Sequence, residues 1–175
     1  MMSNFDLKSP DFSQLPSCGD FDFRIARDGT WFYRGSPIGR KPLVRLFSTV
    51  LRRENDGSFW LVTPVERGRI SVDDAPFVAV EMVVTDQGRG QKLAFRTNVE
   101  DWVTADADHP IRIDYHHGDE PSPYIRVRGA LDALISRPVF YQMIDLAEAR
   151  GTSGGTELGI WSSGSYFPLG LAEAA

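Results

Sequence analysis

The chain has 175 residues, 42% of them hydrophobic and 25% charged, with a formal net charge of −5. That composition belongs to soluble globular proteins and excludes disordered and membrane-spanning classes, and the length fits one ordinary domain or two small ones sharing a core. A pI near 5.2 argues against bulk nucleic-acid binding, which leaves a basic footprint, and the single cysteine, Cys18, permits no internal disulfide.

Residues 1–20 mix Ser, Pro, Asp and Asn with isolated Phe and Leu, the pattern of a tail or a docked arm. They hold no apolar core behind a basic start, and the best apolar run, "PFVAVEMVV", is interrupted by Glu81. The expectation is a soluble cytoplasmic protein with no membrane insertion. From Phe21 the pattern alternates with period two in "FDFRIAR", turns at Asp28-Gly29 and continues in "TWFY", a predicted hairpin. Two helix starts follow, Ser36-Pro37 and Lys41-Pro42. From about Lys41 to Arg53, Leu43, Leu46, Phe47, Val50 and Leu51 have the spacing of a buried helical stripe. Asn55-Asp56-Gly57 is turn chemistry that ends it. Strands are expected at "SFWLVT", "RISV", "FVAVEMVVT" and "QKLAFRTN", the last two flanking the connector "DQGRG".

A repeat organises the chain. "FRIARDGTWFYRG" at 23–35 is echoed by "IRIDYHHG…YIRVRG" at 111–129, with an Arg-Gly pair closing each copy, Arg34-Gly35 and Arg128-Gly129. A helix opening with a cation and a proline follows in both, at Lys41 and at Arg137, the second copy having two extra residues before the proline. The expected fold is α+β and mainly antiparallel, made of two similar halves with one principal helix each. The expected divisions are a tail over 1–20, an N-terminal half over 21–85 and a C-terminal half over 86–175.

The segment from "DGTWFYRGSPIGRKPLVRLFSTVLRR" through "ENDGSFWLVTPVERGRISVDDAPFVAV" resembles the hallmark of a proteobacterial family, domain of unknown function 1285. The closing "IWSSGSYFPLG" is similar to that family's C-terminal signature, so the resemblance runs from about Phe21 to Leu171. It implies an internally duplicated α+β fold whose C-terminal half is similar to pleckstrin-homology-like domains. It also implies a ligand cleft between the halves and a signalling role, and it supplies no catalytic residues.

The first copy concentrates charge. "RGSPIGRKPLVRLFSTVLRR", Arg34 to Arg53, has six cations and no acid. Helical spacing places Lys41, Arg45, Ser48 and Arg52 in one polar stripe. Arg45 aligns with Tyr141 and Arg52 with Glu148, so the repeat keeps the helix without that charge, whereas Arg34 and Lys41 keep cationic counterparts in Arg128 and Arg137. The plain alternative is a solvated face paired with neighbouring acids. Three enzyme-like signals carry little. His116 and His117 in "DYHHGDE" point to opposite faces of a strand and suit a hydrated hairpin tip. Cys18 has no nearby base to activate it. "GTSGG" (151–155) and "DQGRG" lack the strand–loop–helix setting of a phosphate loop, and no metal or cofactor motif occurs.

These residues point to a non-enzymatic binding or adaptor module that captures an anionic small molecule or an acidic protein surface between the halves. Arg34, Arg40, Lys41 and Arg45 are the expected anion-facing groups, with Glu66 and Arg67 at the rim and Trp31 and Trp60 as apolar walls. A small hydrolase with Glu66, Asp73 or Asp74 as general base is the alternative, though it needs a nucleophile or metal the sequence does not display. A homodimer built on an exposed sheet edge stays open as a third class.

Overall fold

The computed structural model describes residues 15–115, 118 and 120–172, in two nine-residue α-helices, one short 3-10 turn at Gly88–Gly90 and fifteen strands. Most of the expected tail and the pair His116-His117 lie outside the described residues. The first sheet contains β1 (Ser17–Ile25), β2 (Trp31–Tyr33), β3 (Ser36–Pro37), β4 (Leu51–Arg53), β5 (Phe59–Val62) and β6 (Arg67–Val72). Its order, β3-β2-β1-β6-β5-β4, is two antiparallel meanders joined by one parallel pair, β1 with β6. The second contains β7 (Phe77–Thr85), β8 (Lys92–Thr97), β9 (Trp102–Thr104), β10 (Ile111–Asp114), β11 (Ser122–Arg128) and β12 (Leu131–Ile135). Here too two meanders meet through one parallel pair, β12 with β7. A third sheet of β13 (Glu148–Thr152), β14 (Gly155–Ser162) and β15 (Ser165–Leu171) lies with β15 against β10 and β14 against β8.

The repeat is visible in this order. Three strands, a helix and a three-stranded meander run from β1 to β6 around α1 (Lys41–Thr49), and again from β10 to β15 around α2 (Arg137–Asp145). Both helices carry a proline in their first turn, where its missing N–H costs no intrahelical bond. The fold is therefore α+β, mainly antiparallel and duplicated. The strand β1 begins at Ser17, and its first residues are docked in parallel beside Arg67 and Arg69. Residues 77–85, grouped with the first half in the sequence, form β7 in the second sheet, because the "DQGRG" connector joins β7 to β8 as an antiparallel pair.

The region around α1 departs from the sequence pattern. Ser36-Pro37 opens no helix; it is a strand paired with Phe32 and Tyr33. The helix stops at Thr49, short of Arg53, because the Asn55-Asp56-Gly57 turn folds Leu51–Arg53 back as β4 against β5. The buried face is also rotated from the expected stripe. Leu46 is 61% exposed, whereas Ser48 is 2% exposed, its hydroxyl satisfied by donation to the Arg45 carbonyl. Val44, Phe47 and Ser48 form the inward row, at i, i+3 and i+4, with Val44 and Phe47 packed on the core.

One continuous apolar core holds the halves together, running from Ile25, Trp31 and Leu51 through Phe77 and Phe95 to Ile125 and Ile160. Polar ties cross the same junction. The Arg27 guanidinium donates to Ser122 Oγ at 3.1 Å, and the Tyr124 hydroxyl to Asp74 Oδ1 at 2.6 Å. Arg128 donates across the junction to the Ser48 carbonyl near the end of α1 and, within its own half, to Asp101 Oδ2 at 3.1 Å.

Candidate functional site

Where α1 begins, the chain forms a groove of about 400 Å³ between the two halves. The β1–β2 turn brings Gly29 and Thr30 to it, and Trp31 opens β2 beside them. The chain leaves β3 through Ile38 and Gly39, then presents Lys41, Pro42, Val44 and Arg45 along α1. The facing wall is Asn98, Val99 and Glu100, the turn between β8 and β9. Spacing explains the helical contribution: Lys41, Val44 and Arg45 are i, i+3 and i+4 and share one side of the helix.

The floor is apolar and well packed. Trp31 is 1% exposed and packs edge-on against Phe23 and stacked on Phe47, with ring centroids 6.5 and 6.4 Å away. Val99 is buried beside it. The indole N–H of Trp31 is buried and has no acceptor among the described residues. A buried unpaired donor of this kind costs roughly 1–3 kcal/mol. At the mouth, Lys41 and Arg45 are exposed, and neither side chain has an ion pair or hydrogen bond to another described residue. Glu100 is the groove's only acid, and its carboxylate accepts from Arg96 at 3.2 Å. The mouth therefore presents two uncommitted cations above an apolar floor that contains one uncommitted donor.

Other residues expected at the site lie elsewhere. Arg34 borders an adjoining trough of about 650 Å³ walled by Phe21, Phe23 and Phe47, with Ile38 as the ridge shared with the first groove. Its guanidinium lies over the Tyr33 ring at 5.1 Å. Arg40 is exposed just before α1 and is not part of the groove lining. Trp60 on β5, Arg67 on β6 and Glu66 in the turn between them are brought together across β1 from the groove, because the sheet order interposes β1 between β2 and β6. There Arg67 lies 4.3 Å over the Trp60 ring and pairs with Glu54 at 3.3 Å. The thiol of Cys18 donates to Glu66 Oε2 at 2.8 Å, and that bond is the main influence raising the thiol's pKa. Arg52 and Arg53 are turned to backbone carbonyls, Arg52 to Leu51 at 2.8 Å and Arg53 to Ala130 at 3.5 Å. Six clustered cations thus resolve into two at the groove.

The carboxylates considered as bases are engaged. Asp73 is ion-paired to Arg24, whose hydrogen bonding holds the carboxyl below its usual range. Asp74 accepts from Tyr124, and burial followed by that bond pushes the phenol up to about 12. Asn98, Val99 and Glu100 were not legible as site residues. In the sequence Asn98 reads only as the end of the strand "QKLAFRTN", and the meeting of the β8–β9 turn with the β1–β2 turn is what brings these residues to the groove.

Two family models match the chain. "Domain of unknown function (DUF1285), N-terminal domain" matches residues 13–75, and "Protein of unknown function (DUF1285), C-terminal domain" matches residues 76–169. The chain belongs to the DUF1285 family. A crystal structure of a DUF1285 family protein from Silicibacter pomeroyi DSS-3 is 52% identical with a TM-score of 0.85, covering 91% of this chain and 85% of that one. A DUF1285 family protein from Shewanella baltica OS155 is 24% identical with a TM-score of 0.56, covering 71% of this chain and 91% of that one, and shares the fold. No protein of curated function matches. The two DUF1285 domain matches divide between Ala75 and Pro76, so the groove takes residues 29–45 from one domain and 98–100 from the other.

Proposed function

We propose that this DUF1285 protein is a binding module that captures an anionic ligand in the groove between its two domains. The observation that carries the proposal is that uncommitted Lys41 and Arg45 line a single groove with Trp31, whose indole N–H is buried and unpaired. Arg45 offers a planar fork suited to bidentate contact with an oxyanion, and Lys41 a mobile point charge. Trp31, Ile38, Val44 and Val99 suit an apolar body behind the charged head. A volume of about 400 Å³ falls within the range of small-molecule sites, which favours a small ligand over an extended protein surface. A ligand touching α1 and the Asn98–Glu100 turn together bridges both domains. Occupied and empty forms of an adaptor then differ at the domain junction, as a signalling role requires.

The test is calorimetric titration with hexanoate and with inorganic phosphate at low and high salt, on the whole chain and on Lys41→Gln/Arg45→Gln. Salt-sensitive binding weakened about tenfold or more in the double variant is expected, since hydrogen bonds to charged groups contribute roughly 1.5–3 kcal/mol each. Arg34→Ala, altered in the adjoining trough, should bind as the parent does. Binding unchanged in the double variant overturns the proposal.

A further inference from the structure

A second groove of about 410 Å³ lies at the start of α2, lined by Pro123, Leu134, Ile135, Ser136, Arg137, Phe140 and Tyr141, with Arg27 reaching in from the first domain and Glu120 at the edge. The register that aligns Lys41 with Arg137 also aligns Ile38 with Leu134, Gly39 with Ile135, Val44 with Phe140 and Arg45 with Tyr141. All of those positions line their own groove. The two cavities are thus the same place in the two copies of the repeat, each completed by a contribution from the other domain.

Their charges also correspond. The first groove has Lys41, Arg45 and one acid, Glu100; the second has Arg137, Arg27 and one acid, Glu120. Counted over the lining side chains alone, each has two cations and one acid; Arg96 pairs with Glu100 behind the first, and Asp74 with Arg27 behind the second. The cation that Tyr141 lacks relative to Arg45 is supplied by Arg27, whose guanidinium is fixed by Ser122 Oγ at 3.1 Å and by Asp74 at 3.2 Å. Arg137 meets Glu120 only at 3.5 Å, with side chains 69% and 80% exposed, a contact that solvent weakens heavily. Neither helix is capped by a side chain.

We propose that the second groove is a repeat-related binding site for the same class of ligand, a small organic carboxylate with an apolar body. The inference rests on the anion-binding role of the first groove. Each groove sets cations beside apolar lining, which suits a carboxylate with a hydrocarbon body better than bare inorganic phosphate. Pro123, Leu134 and Phe140 in the second groove stand where a carboxylate's hydrocarbon portion would lie. Tyr141 offers a hydroxyl in place of a guanidinium, so the second site binds more weakly than the first.

The test follows backbone amide shifts of the whole chain during titration with hexanoate, in the parent, in Lys41→Gln/Arg45→Gln and in Arg137→Gln. Arg137 is exposed, so its substitution does not threaten folding, and Arg137→Glu provides a charge reversal at the same place. The expected result is saturable shifts at both Val44–Arg45 and Phe140–Tyr141, each set weakened about tenfold or more only by the substitution in its own groove. Inorganic phosphate and acetate should each shift the same amides more weakly. Shifts confined to α1 overturn the second site and leave the first standing. Shifts at neither helix overturn both, and shifts at α2 alone overturn the role of the first groove and the repeat argument with it. Tighter binding of phosphate than of hexanoate overturns the carboxylate assignment.

Discussion

Asn98 and Gly29 hold one another across the domain junction: the Asn98 amide N–H donates to the Gly29 carbonyl at 3.2 Å, while Asn98 Oδ1 accepts from the Val78 N–H at 2.9 Å. Gly29 has φ of +89°, a conformation that side-chain-bearing residues rarely adopt, and a Cβ added there would stand 2.6 Å from Asn98 Nδ2. Gly29→Ala therefore carries both backbone strain and a displaced amide. It should destabilise the protein by roughly 2 kcal/mol or more, and Asn98→Ala by roughly 1–3 kcal/mol, because the Val78 N–H loses its side-chain acceptor. Urea denaturation reads both; losses below about 0.5 kcal/mol, the usual scale of surface changes, would contradict the lock.

Cations of the repeat divide into uncommitted and structural groups. Lys41→Gln/Arg45→Gln removes no ion pair or hydrogen bond to another described residue and should leave the stability read from urea denaturation nearly unchanged, within about 0.5 kcal/mol. Arg128→Ala removes bonds to Asp101 and to the Ser48 carbonyl and a position over the Phe77 ring at 5.3 Å. It should cost roughly 1–3 kcal/mol. Equal costs in the two variants would show that the assignment of roles is wrong.

Gly68 is a seat for an aromatic ring. A Cβ there would collide with Phe21, and Gly159 stands in the same relation to Tyr166. Gly68→Ala should expel Phe21 and loosen β1 from β6, raising amide exchange across Phe21–Ile25. Gly68→Ala/Phe21→Ala should cost less than the sum of its two single changes, since one collision underlies the first of them. Strict additivity would contradict the seat.

Acid stability should depend on Asp28 and Asp73. Hydrogen bonds from Thr30 hold Asp28 below its ordinary value, and Arg24 does the same for Asp73. Groups depressed on folding stabilise fully above the unfolded value, about 3.9, and lose that contribution as pH falls through the folded value. Asp73→Asn should therefore flatten the acid limb of a stability curve taken below about pH 4. At the other end, Tyr124 is raised to about 12, so its contribution is complete below about pH 10 and fades between the two. Tyr124→Phe should flatten that alkaline limb; an unchanged slope would contradict the assignment.

The duplication, both helix starts at a cation-proline pair and the span of β7 were legible because local chemistry determines them. The extent of α1 was not: its apolar spacing continues into Leu51, and only the hairpin formed with β5 withdraws those residues. Ser48 reads as polar surface but is buried, since its hydroxyl is satisfied within its own helix. Trp31, Lys41 and Arg45, which charge and aromatic content mark in the sequence, line one groove. Trp60, Glu66 and Arg67 carry the same marks and satisfy one another or near neighbours instead. Arg27 and Asn98 gave no signal, because their importance arises from contacts about 70 or more residues away in the chain.

The most direct test of the central claim is the indole N–H resonance of Trp31, assigned by its absence in Trp31→Phe and followed during titration with hexanoate. A saturable shift in the parent, lost at the same concentrations in Lys41→Gln/Arg45→Gln, is the predicted result. A Trp31 resonance that stays fixed while other residues report saturable binding would contradict capture of the ligand in this groove.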